Sequence, residues 1–595
     1  MAYRSTKKYE RNETIILAFD IGTTHSAVSF SYAYPGEFPD IRSVVKWPGQ
    51  PEASGDSKIP TIVAYQGGEA KFFGAEAREY LDDEDFEVAR WFKLHLHPES
   101  MKFGQSSTGL GELDIPPLPL GVSLPQVYAD FIRYTYKATK DFFINNTPNG
   151  HHIWSRLEDR MPIIFCTPNG WDMSEHAFLT EAAIRAGIVK HQDAEEQLWF
   201  ITEGEASVHY SLAYTKTAEW LKKDTVFAVT DAGGSTVDST LYRCRFKSPL
   251  VLEEVCASAC VQAGGVFVDR AMQNVLEGKL STSNYGDAET IAIMVRQFEL
   301  KTKRIFDGSQ ISNIINFGTP RDNDKGYGIV KGKLTLTSDE VRAAYTGVIS
   351  SITASCQGLL GSRRVQHLLL VGGFGESPYL RDQLKLKFGE RGTQVVTVDE
   401  PSRKAAADGA VIWYLTQLVE GRAARFDYGI YSGEIYDSVV HRGHEDEVYL
   451  DDAGSKRVWT FRILISKDTI LNDAWRVSWS RHRLFPTRPS PRELGVYESL
   501  IYVWQGEGPA PPVLDADYSK PPLGLRVMFT IKADLSALCD SMEFDTNRKT
   551  GRQYWKVNTN LDIIFTNMKL KARLRWMDKG AERIGPATMI PASKL

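Results

Sequence analysis

The stretch Thr14-Ile-Ile-Leu-Ala-Phe-Asp20-Ile-Gly22-Thr23-Thr24 decides how the first part of the chain folds. Its apolar run is typical of a buried strand, and it stops at a glycine and two threonines before resuming at Ala27-Val28-Ser29-Phe30. The pattern predicts two strands joined by a tight polar turn. A carboxylate ends the first strand, Gly22 lets backbone amides approach an anion, and the threonines add donors. Taken alone, an ordinary hairpin with polar turn residues explains the stretch equally well.

The same order of residue types returns at Asp231-Ala-Gly233-Gly234-Ser235-Thr236-Val237-Asp238. It follows the apolar segment 226–230 and precedes the segment 239–242, so it predicts a second hairpin. Two matched hairpins can hold a polyphosphate from opposite sides, with Mg²⁺ between Asp20 and Asp231. The repetition, more than either copy, favours a phosphate site.

A third glycine motif, Gly372-Gly373-Phe374-Gly375, follows the apolar strand pattern of residues 365–371. Paired glycines after a buried strand leave space for a planar base or a ribose. The chain has neither the P-loop spacing nor a convincing dinucleotide fingerprint, which argues against Walker-type NTPases and Rossmann oxidoreductases.

The remaining pattern predicts an α/β region of two pseudo-repeated halves and a separate β-rich region after about residue 425. Helical spacing of apolar residues over 124–144 and strand–helix–strand alternation through residue 230 support the first part. The second part has β-branched and aromatic segments separated by proline-rich loops. Examples are Val458–Ile465, Trp475–Trp479, Ser499–Trp504, Leu525–Ile531 and Leu561–Phe565.

Charge and composition exclude several classes of partner. The 595 residues include 70 lysines and arginines against 75 acidic residues, a net charge of −5, which offers no positive field for nucleic acid. No apolar run approaches the roughly 20 residues that span a bilayer, so we expect no membrane partner. Six cysteines suit a reducing compartment, so we expect a cytoplasmic or nuclear protein. Residues 1–13 are expected to form a disordered basic tail.

The ordered set of three motifs resembles that of the actin, hexokinase and heat-shock ATPase superfamily. Within it, the chain is most similar to the 70-kDa heat-shock protein family, in its divergent branch of shorter members, over about residues 15–414. The resemblance implies a two-lobed, actin-like (ribonuclease H-like) ATPase domain over residues 14–424. It also implies that residues 425–595 form a β-rich domain similar to a chaperone substrate-binding domain without a helical lid.

The resemblance also assigns roles to particular positions. It implies catalytic roles for Asp231, Thr236, Lys93 and Glu203, and water-mediated Mg²⁺ binding by Asp20 and Asp231. It implies ATP or ADP as the cofactor. The residues implied in nucleotide binding are Gly22, Thr23, Thr24, Gly233, Gly234, Ser235, Lys303, Arg304, Gly372 and Gly373.

Several positions depart from the family pattern. The residues around Lys93 differ from the family pattern, so a solvated helical lysine is an alternative. The spacing between Glu299 and the basic pair Lys303-Arg304 differs by one residue from the usual spacing. Glu376 stands near the position where the family has a base-stacking arginine. The segment 418–428 replaces the acidic, leucine-rich interdomain linker.

The resemblance favours an ATP-driven chaperone that is a slow ATPase, with unfolded polypeptide or cochaperones as further partners. Two alternatives remain open at the level of the sequence. One is a nucleotide-gated interaction scaffold with little turnover, and the other is a metabolite kinase of the same superfamily.

Overall fold

A computed structural model describes residues 8–50, 57–98, 101, 115–215, 217–247, 250–397, 405–416, 419–472, 475–506, 508–515, 521–566, 569–585 and 588–591. The chain divides into two compact units. The first comprises Met1–Leu252 and Ser258–Val419, and the second comprises Glu253–Ala257 and Glu420–Leu595. The structure is mixed α/β with several sheets, as the sequence predicted. No helix among the described residues has both the length and the apolar composition needed to cross a lipid bilayer.

The first half of unit one is built on a sheet of order β3-β2-β1-β8-β9, with β4 also paired to β2, and β5 to β7 form a small separate sheet. The strands are β1 Thr14–Ile21, β2 His25–Ala33, β3 Arg42–Ser43, β4 Lys58–Pro60, β5 Ile62–Gln66, β6 Glu69–Phe73, β7 Glu87–Arg90, β8 Ile163–Thr167 and β9 Leu198–Thr202. The helices are Gly74–Ala77, Leu124–Asn146, Gly150–Leu157, Met173–Ala186, Ala194–Gln197 and Glu203–Tyr214, with 3-10 turns at Arg78–Tyr80, Phe92–Leu96 and Glu158–Arg160.

The second half of unit one has the sheet order β18-β17-β10-β11, with β13 also paired to β11, and β14 to β16 form a small sheet. The strands are β10 Val226–Ala232, β11 Val237–Lys247, β12 Leu250–Glu254, β13 Ala259–Val261, β14 Ser312–Asn316, β15 Ile329–Val330, β16 Lys333–Thr337, β17 His367–Val371 and β18 Gln394–Thr397. The helices are Thr217–Trp220, Gly265–Leu280, Ala288–Gln297, Lys303–Ile305, Ser338–Leu360, Pro378–Gly389 and Ala405–Thr416, with a π turn at Phe298–Thr302 and a 3-10 turn at Lys325–Tyr327.

The register of the two sheets confirms the internal repeat predicted from the sequence. In the first half β1 is antiparallel to β2 and parallel to β8, so Asp20 is paired with Ala27 and Cys166. In the second half β10 is antiparallel to β11 and parallel to β17, so Asp231 is paired with Asp238 and Val371. Each half therefore places an aspartate at the end of the corresponding strand.

Sequence signals explain where the main helices begin and how they pack. Pro125 lies in the first turn of Leu124–Asn146, and Asp172 with Glu175 forms a capping box at the start of Met173–Ala186. Helices Glu203–Tyr214 and Ala405–Thr416 approach closely at Gly409, where a Cβ atom would lie 1.9 Å from the carbonyl oxygen of Ala206. Only glycine permits this contact.

The predicted disordered tail is corrected in part. Residues 1–7 lie outside the described residues. Tyr9, however, is buried, and its backbone exchanges 2.8 Å hydrogen bonds with Gly36 and Glu37. Glu13 accepts two hydrogen bonds from Arg156, and the bonds from that guanidinium lower the pKa of the Glu13 carboxyl to about 2. The segment from Tyr9 to Glu13 is therefore fixed by backbone pairing and an ion pair that its composition did not indicate.

The second unit is β-rich, with two antiparallel sheets of order β21-β22-β20-β25-β26-β31 and β24-β28-β29-β30, and β27 also pairs with β28. The strands that follow the first unit are β19 Val419–Ala423, β20 Asp427–Ile435, β21 Tyr449–Leu450, β22 Lys456–Ile465, β23 Ile470–Leu471, β24 Arg476–Phe485, β25 Tyr497–Trp504, β26 Leu525–Ala533, β27 Phe544–Thr546, β28 Gln553–Thr566, β29 Lys569–Asp578, β30 Ala581–Ile584 and β31 Thr588–Pro591. Within its described residues, the helical segments are Pro491–Gly495 and the 3-10 turns Glu445–Glu447 and Ser536–Ser541. Each apolar segment predicted as a strand in this region overlaps a strand.

Candidate functional site

One cavity of about 470 Å³ in the first unit brings together every residue that the sequence singled out for catalysis, cofactor binding or metal binding. These residues are Asp20, Gly22, Thr23, Thr24, Lys93, Glu203, Asp231, Gly233, Gly234, Ser235, Thr236, Lys303, Arg304, Gly372 and Gly373. They come from both halves of the unit and from turns far apart in the chain, so their convergence is a property of the fold.

The two predicted hairpins touch each other at the cavity. The hydroxyls of Thr23 and Ser235 lie 2.7 Å apart, within hydrogen-bond distance. Across the same gap, a Cβ atom at Gly234 would lie 3.0 Å from Oγ1 of Thr24. The absence of a side chain at Gly234 therefore leaves room for the opposing threonine, and the two turns form facing walls.

The third glycine motif closes against the second hairpin. Gly372 has a φ of +87°, a conformation that favours glycine. A Cβ atom there would lie 2.3 Å from Oδ1 of Asp231 and 2.5 Å from the carbonyl oxygen of Ala232. The motif is therefore required for close backbone approach to Asp231, as well as for space in the cavity.

Three carboxylates converge at the polar end of the cavity. Burial, and then the negative charge of Glu203, raises the pKa of Asp20 to about 6 and that of Asp231 to about 7. The charge of Asp20 contributes further to the raised pKa of Asp231, as like charges do at short range. Asp231 accepts a hydrogen bond from the Ser207 hydroxyl, which partly offsets this effect.

Lys93 lies in this acidic cluster and is not a solvated helical lysine. It belongs to the 3-10 turn Phe92–Leu96, its side chain is 4% exposed, and its Nζ lies 2.7 Å from Oε1 of Glu203. Its ammonium also lies over the ring of Trp171, 5.5 Å from the centroid. Burial alone favours the neutral amine, but the charges of Glu203 and Asp20 outweigh it and raise the pKa of Lys93.

The donor set is compatible with a magnesium–nucleotide ligand held through water. Among the described residues, no three or more His, Cys, Asp or Glu side chains are arranged to bind a metal directly. Asp20 and Asp231 nevertheless face the same cavity as desolvated carboxylates, and oxygen ligands are what Mg²⁺ prefers. Because Mg²⁺ usually keeps several of its waters, two carboxylates are sufficient for this mode of binding.

Lys303 and Arg304, two of the residues implied in nucleotide binding, line the same cavity. Lys303 donates to Asp269 at 2.5 Å and to the carbonyl oxygen of Gly265 at 3.3 Å. Glu299 also lines the cavity, although it is one residue out of the expected spacing. The π turn Phe298–Thr302 explains this, because a wider turn accommodates one extra residue before Lys303.

Sequence reasoning missed several residues that line the cavity. His25, Lys58, Asp269 and Phe374 all line it. Lys58 lies in β4, paired with Ala27 of β2, and its Nζ would be 3.7 Å from a Cβ atom at Gly373. The position of His25 directly after the threonine turn was an available signal, whereas no local pattern distinguishes Lys58 or Asp269.

Comparison with known proteins gives three relatives at low identity. The chain is 22% identical over 505 residues to heat shock 70 kDa protein 12B of Homo sapiens, covering 70% of this chain and 71% of that protein. It is 21% identical over 502 residues to heat shock 70 kDa protein 12A of Mus musculus, and 20% identical over 502 residues to heat shock 70 kDa protein 12A of Homo sapiens. The latter two matches each cover 70% of this chain and 72% of the relative. No family model matches the chain. The three similarities support a divergent member of the 70-kDa heat-shock protein family, as the glycine motifs predicted.

Proposed function

We propose that the protein binds ATP or ADP with Mg²⁺ in the cavity of the first unit and hydrolyses ATP slowly, in a two-lobed domain of the actin-like kind. The observation that carries this proposal is the meeting of two repeated Asp–Gly–hydroxyl hairpins in one cavity. Its volume of about 470 Å³ lies in the range of roughly 300–1,000 Å³ typical of ligand pockets.

Each hairpin supplies donors to the phosphates. The turns Gly22–Thr24 and Gly233–Thr236 present backbone amides and hydroxyls on facing walls of the cavity. Lys93 adds positive charge from a position held by Glu203. Lys303 and Arg304, which line the same cavity, are proposed to contact the nucleoside.

Hydrolysis is assigned to groups at the polar end of the cavity. Asp231 orients the attacking water by accepting a hydrogen bond from it, and the Thr236 hydroxyl binds the terminal phosphate. Bound Mg²⁺ would neutralise phosphate charge, with Asp20 and Asp231 accepting hydrogen bonds from its waters. No histidine is needed for this arrangement.

Calorimetric titration of the full chain with Mg²⁺–ATP, Mg²⁺–ADP and NAD tests the binding. We expect both adenine nucleotides with Mg²⁺ to bind and to raise the melting temperature by mass action. Absence of binding at millimolar ATP, or tighter binding of NAD, would refute the proposal.

Turnover tests the catalytic assignment. We expect Asp231→Asn to lower ATP turnover by roughly 10²-fold while ATP still binds, because the charge that orients the water is removed. Asp141→Asn, on the exposed face of helix Leu124–Asn146, is the matched control. Equal turnover in the Asp231 variant and the wild type would remove Asp231 from the mechanism. Binding without measurable turnover in the wild type would favour the nucleotide-gated scaffold.

The β-rich unit is proposed to bind extended polypeptide, by strand addition or aromatic contact, as part of a chaperone function. The family's leucine-rich linker is absent from residues 418–428, so we expect ATP to change peptide affinity by less than about tenfold, or roughly 1.4 kcal/mol. Fluorescence anisotropy of a labelled unfolded peptide, with and without Mg²⁺–ATP, measures this. A larger change would restore the full chaperone cycle.

A further inference from the structure

We infer that a chain of hydrogen bonds from Arg78 through His25 to Thr24 fixes the Thr24 hydroxyl as a donor toward an anion in the cavity. Arg78 and His25 are then positioning residues that act through Thr24. The inference rests on the proposed nucleotide site, and it adds two positioning residues that lie outside the glycine motifs of that site.

The geometry determines which atom donates at each step. Nη2 of Arg78 lies 3.2 Å from Nε2 of His25, and Nδ1 of His25 lies 3.2 Å from Oγ1 of Thr24. A guanidinium can only donate, so Nε2 of His25 must accept. The proton of the neutral imidazole is therefore on Nδ1, and Nδ1–H donates to the threonine oxygen.

The neutral form of His25 is favoured by its surroundings. Burial lowers the pKa of His25 to about 3, together with the positive charges of Lys58, Arg78, Arg304 and Lys303. A protonated ring would also direct an Nε2–H group at the Arg78 guanidinium, which has no acceptor. The relay is thus charged at Arg78 and neutral at His25.

Thr24 is placed to use its remaining proton in the cavity. Its Oγ1 would lie 3.0 Å from a Cβ atom at Gly234, so the hydroxyl faces the second hairpin. Its backbone is anchored, because the Thr61 amide donates to the Thr24 carbonyl oxygen at 2.9 Å. A hydroxyl that already accepts a hydrogen bond from His25 has its O–H available for a phosphate oxygen, and no reorientation is needed when the ligand arrives.

The tautomer of His25 is the most direct test and needs no ligand. In protein labelled with ¹⁵N-histidine, the signals lost in His25→Asn identify His25. We expect those signals to show the Nδ1–H tautomer in the wild type and to shift toward the Nε2–H tautomer in Arg78→Met. An Nε2–H tautomer in the wild type would overturn the inference, whether or not ATP binds.

Binding variants test the consequence. Titration with Mg²⁺–ATP should show about five- to tenfold weaker binding for His25→Leu and Arg78→Met, consistent with the loss of a charge-assisted hydrogen-bond chain. His25→Asn keeps an N–H group near the position of Nδ1 and should restore most of the affinity. Arg185→Met, at an exposed arginine of the same half, is the charge-matched control and should bind as the wild type does.

The outcomes separate the relay from the proposed function. If the wild type fails to bind ATP, the proposed function fails while the tautomer experiment still decides the relay. If the wild type binds ATP and His25→Leu binds equally well, the relay is refuted and the nucleotide site stands. Adenosine, which has no phosphate, should bind all four variants and the wild type with equal affinity, and an adenosine defect in His25→Leu would contradict a role directed at phosphate.

Discussion

Replacing Lys93 by methionine should destabilise the nucleotide-free first unit far more than removing a typical lysine. The Lys93 side chain is 4% exposed and the Glu203 side chain is 12% exposed. Their 2.7 Å ion pair balances the charge of the Glu203 carboxylate. Asp20 and Asp231 lie in the same cavity, and Glu203 already raises the pKa of both. Methionine fills a similar volume, so the main change is the loss of the cation.

The magnitude follows from the burial of the pair. Breaking a buried ion pair by removing one partner costs about 3–5 kcal/mol, because the remaining charge is uncompensated. The carboxylates can take up protons in response, so we expect a cost at the lower end of that range, about 3 kcal/mol. In Lys93→Met/Glu203→Gln the unpaired carboxylate is also removed. The double variant should therefore lose less stability than the sum of the two single variants, by about 1–3 kcal/mol.

The assay follows urea unfolding of the full chain by hydrogen exchange and mass spectrometry, read at peptides that cover Thr14–Ile21 and Ile163–Thr167. These adjacent strands report on the first unit alone. Lys71→Met is the matched control, since Lys71 and Glu69 also lie 2.7 Å apart but are 41% and 77% exposed. Exposed pairs contribute about 0–1 kcal/mol. A loss in Lys93→Met no larger than in Lys71→Met, or strict additivity in the double variant, would refute the reasoning.

Three further predictions concern the same cavity. Burial and then the charge of Glu203 raise the pKa of Asp231 to about 7, so the folded state binds this proton more tightly than the unfolded chain. The stability of the nucleotide-free protein should therefore fall as the pH rises from about 4 to 7, and melting curves at about pH 5–8 should show a smaller fall for Asp231→Asn. Because Lys58 lines the cavity, Lys58→Met should weaken Mg²⁺–ATP binding by about tenfold in calorimetry and leave adenosine binding unchanged. An ATP affinity equal to that of the wild type would show that Lys58 does not contact phosphate. Gly372→Ala should lower the free energy of unfolding in urea by at least about 2 kcal/mol and impair ATP binding, because the added Cβ would lie 2.3 Å from Oδ1 of Asp231 at a φ of +87°. Wild-type stability in this variant would contradict the close approach of the turn to Asp231.

Much of the α/β unit could be predicted because its signals are local. A buried strand that ends in an aspartate and a glycine turn is recognisable from a short run of consecutive residues, and the repeat of that pattern predicted two equivalent hairpins. The registers of β1 with β2 and of β10 with β11 agree with this prediction. The strands of the β-rich unit were likewise visible as alternating β-branched and aromatic segments.

The ordered segment Tyr9–Glu13 shows the limit of composition as a guide. A basic, polar stretch is typical of a disordered tail, yet Tyr9 pairs with a distant loop and Glu13 with Arg156. Ordering there depends on partners that are remote in the chain, since Tyr9 bonds to Gly36 and Glu13 bonds to Arg156 of helix Gly150–Leu157. No window of neighbouring residues contains that information.

The sequence by itself determined where the two hairpins form and where their glycines and aspartates lie within them, because backbone conformation and strand ends depend on neighbouring residues. Only the tertiary structure decided that Lys93 is buried against Glu203, that Lys58 and His25 line the cavity, and that a π turn keeps Glu299 there. These features depend on which distant elements pack together, since a side chain's burial, charge state and hydrogen-bond partners are set by the residues around it in space.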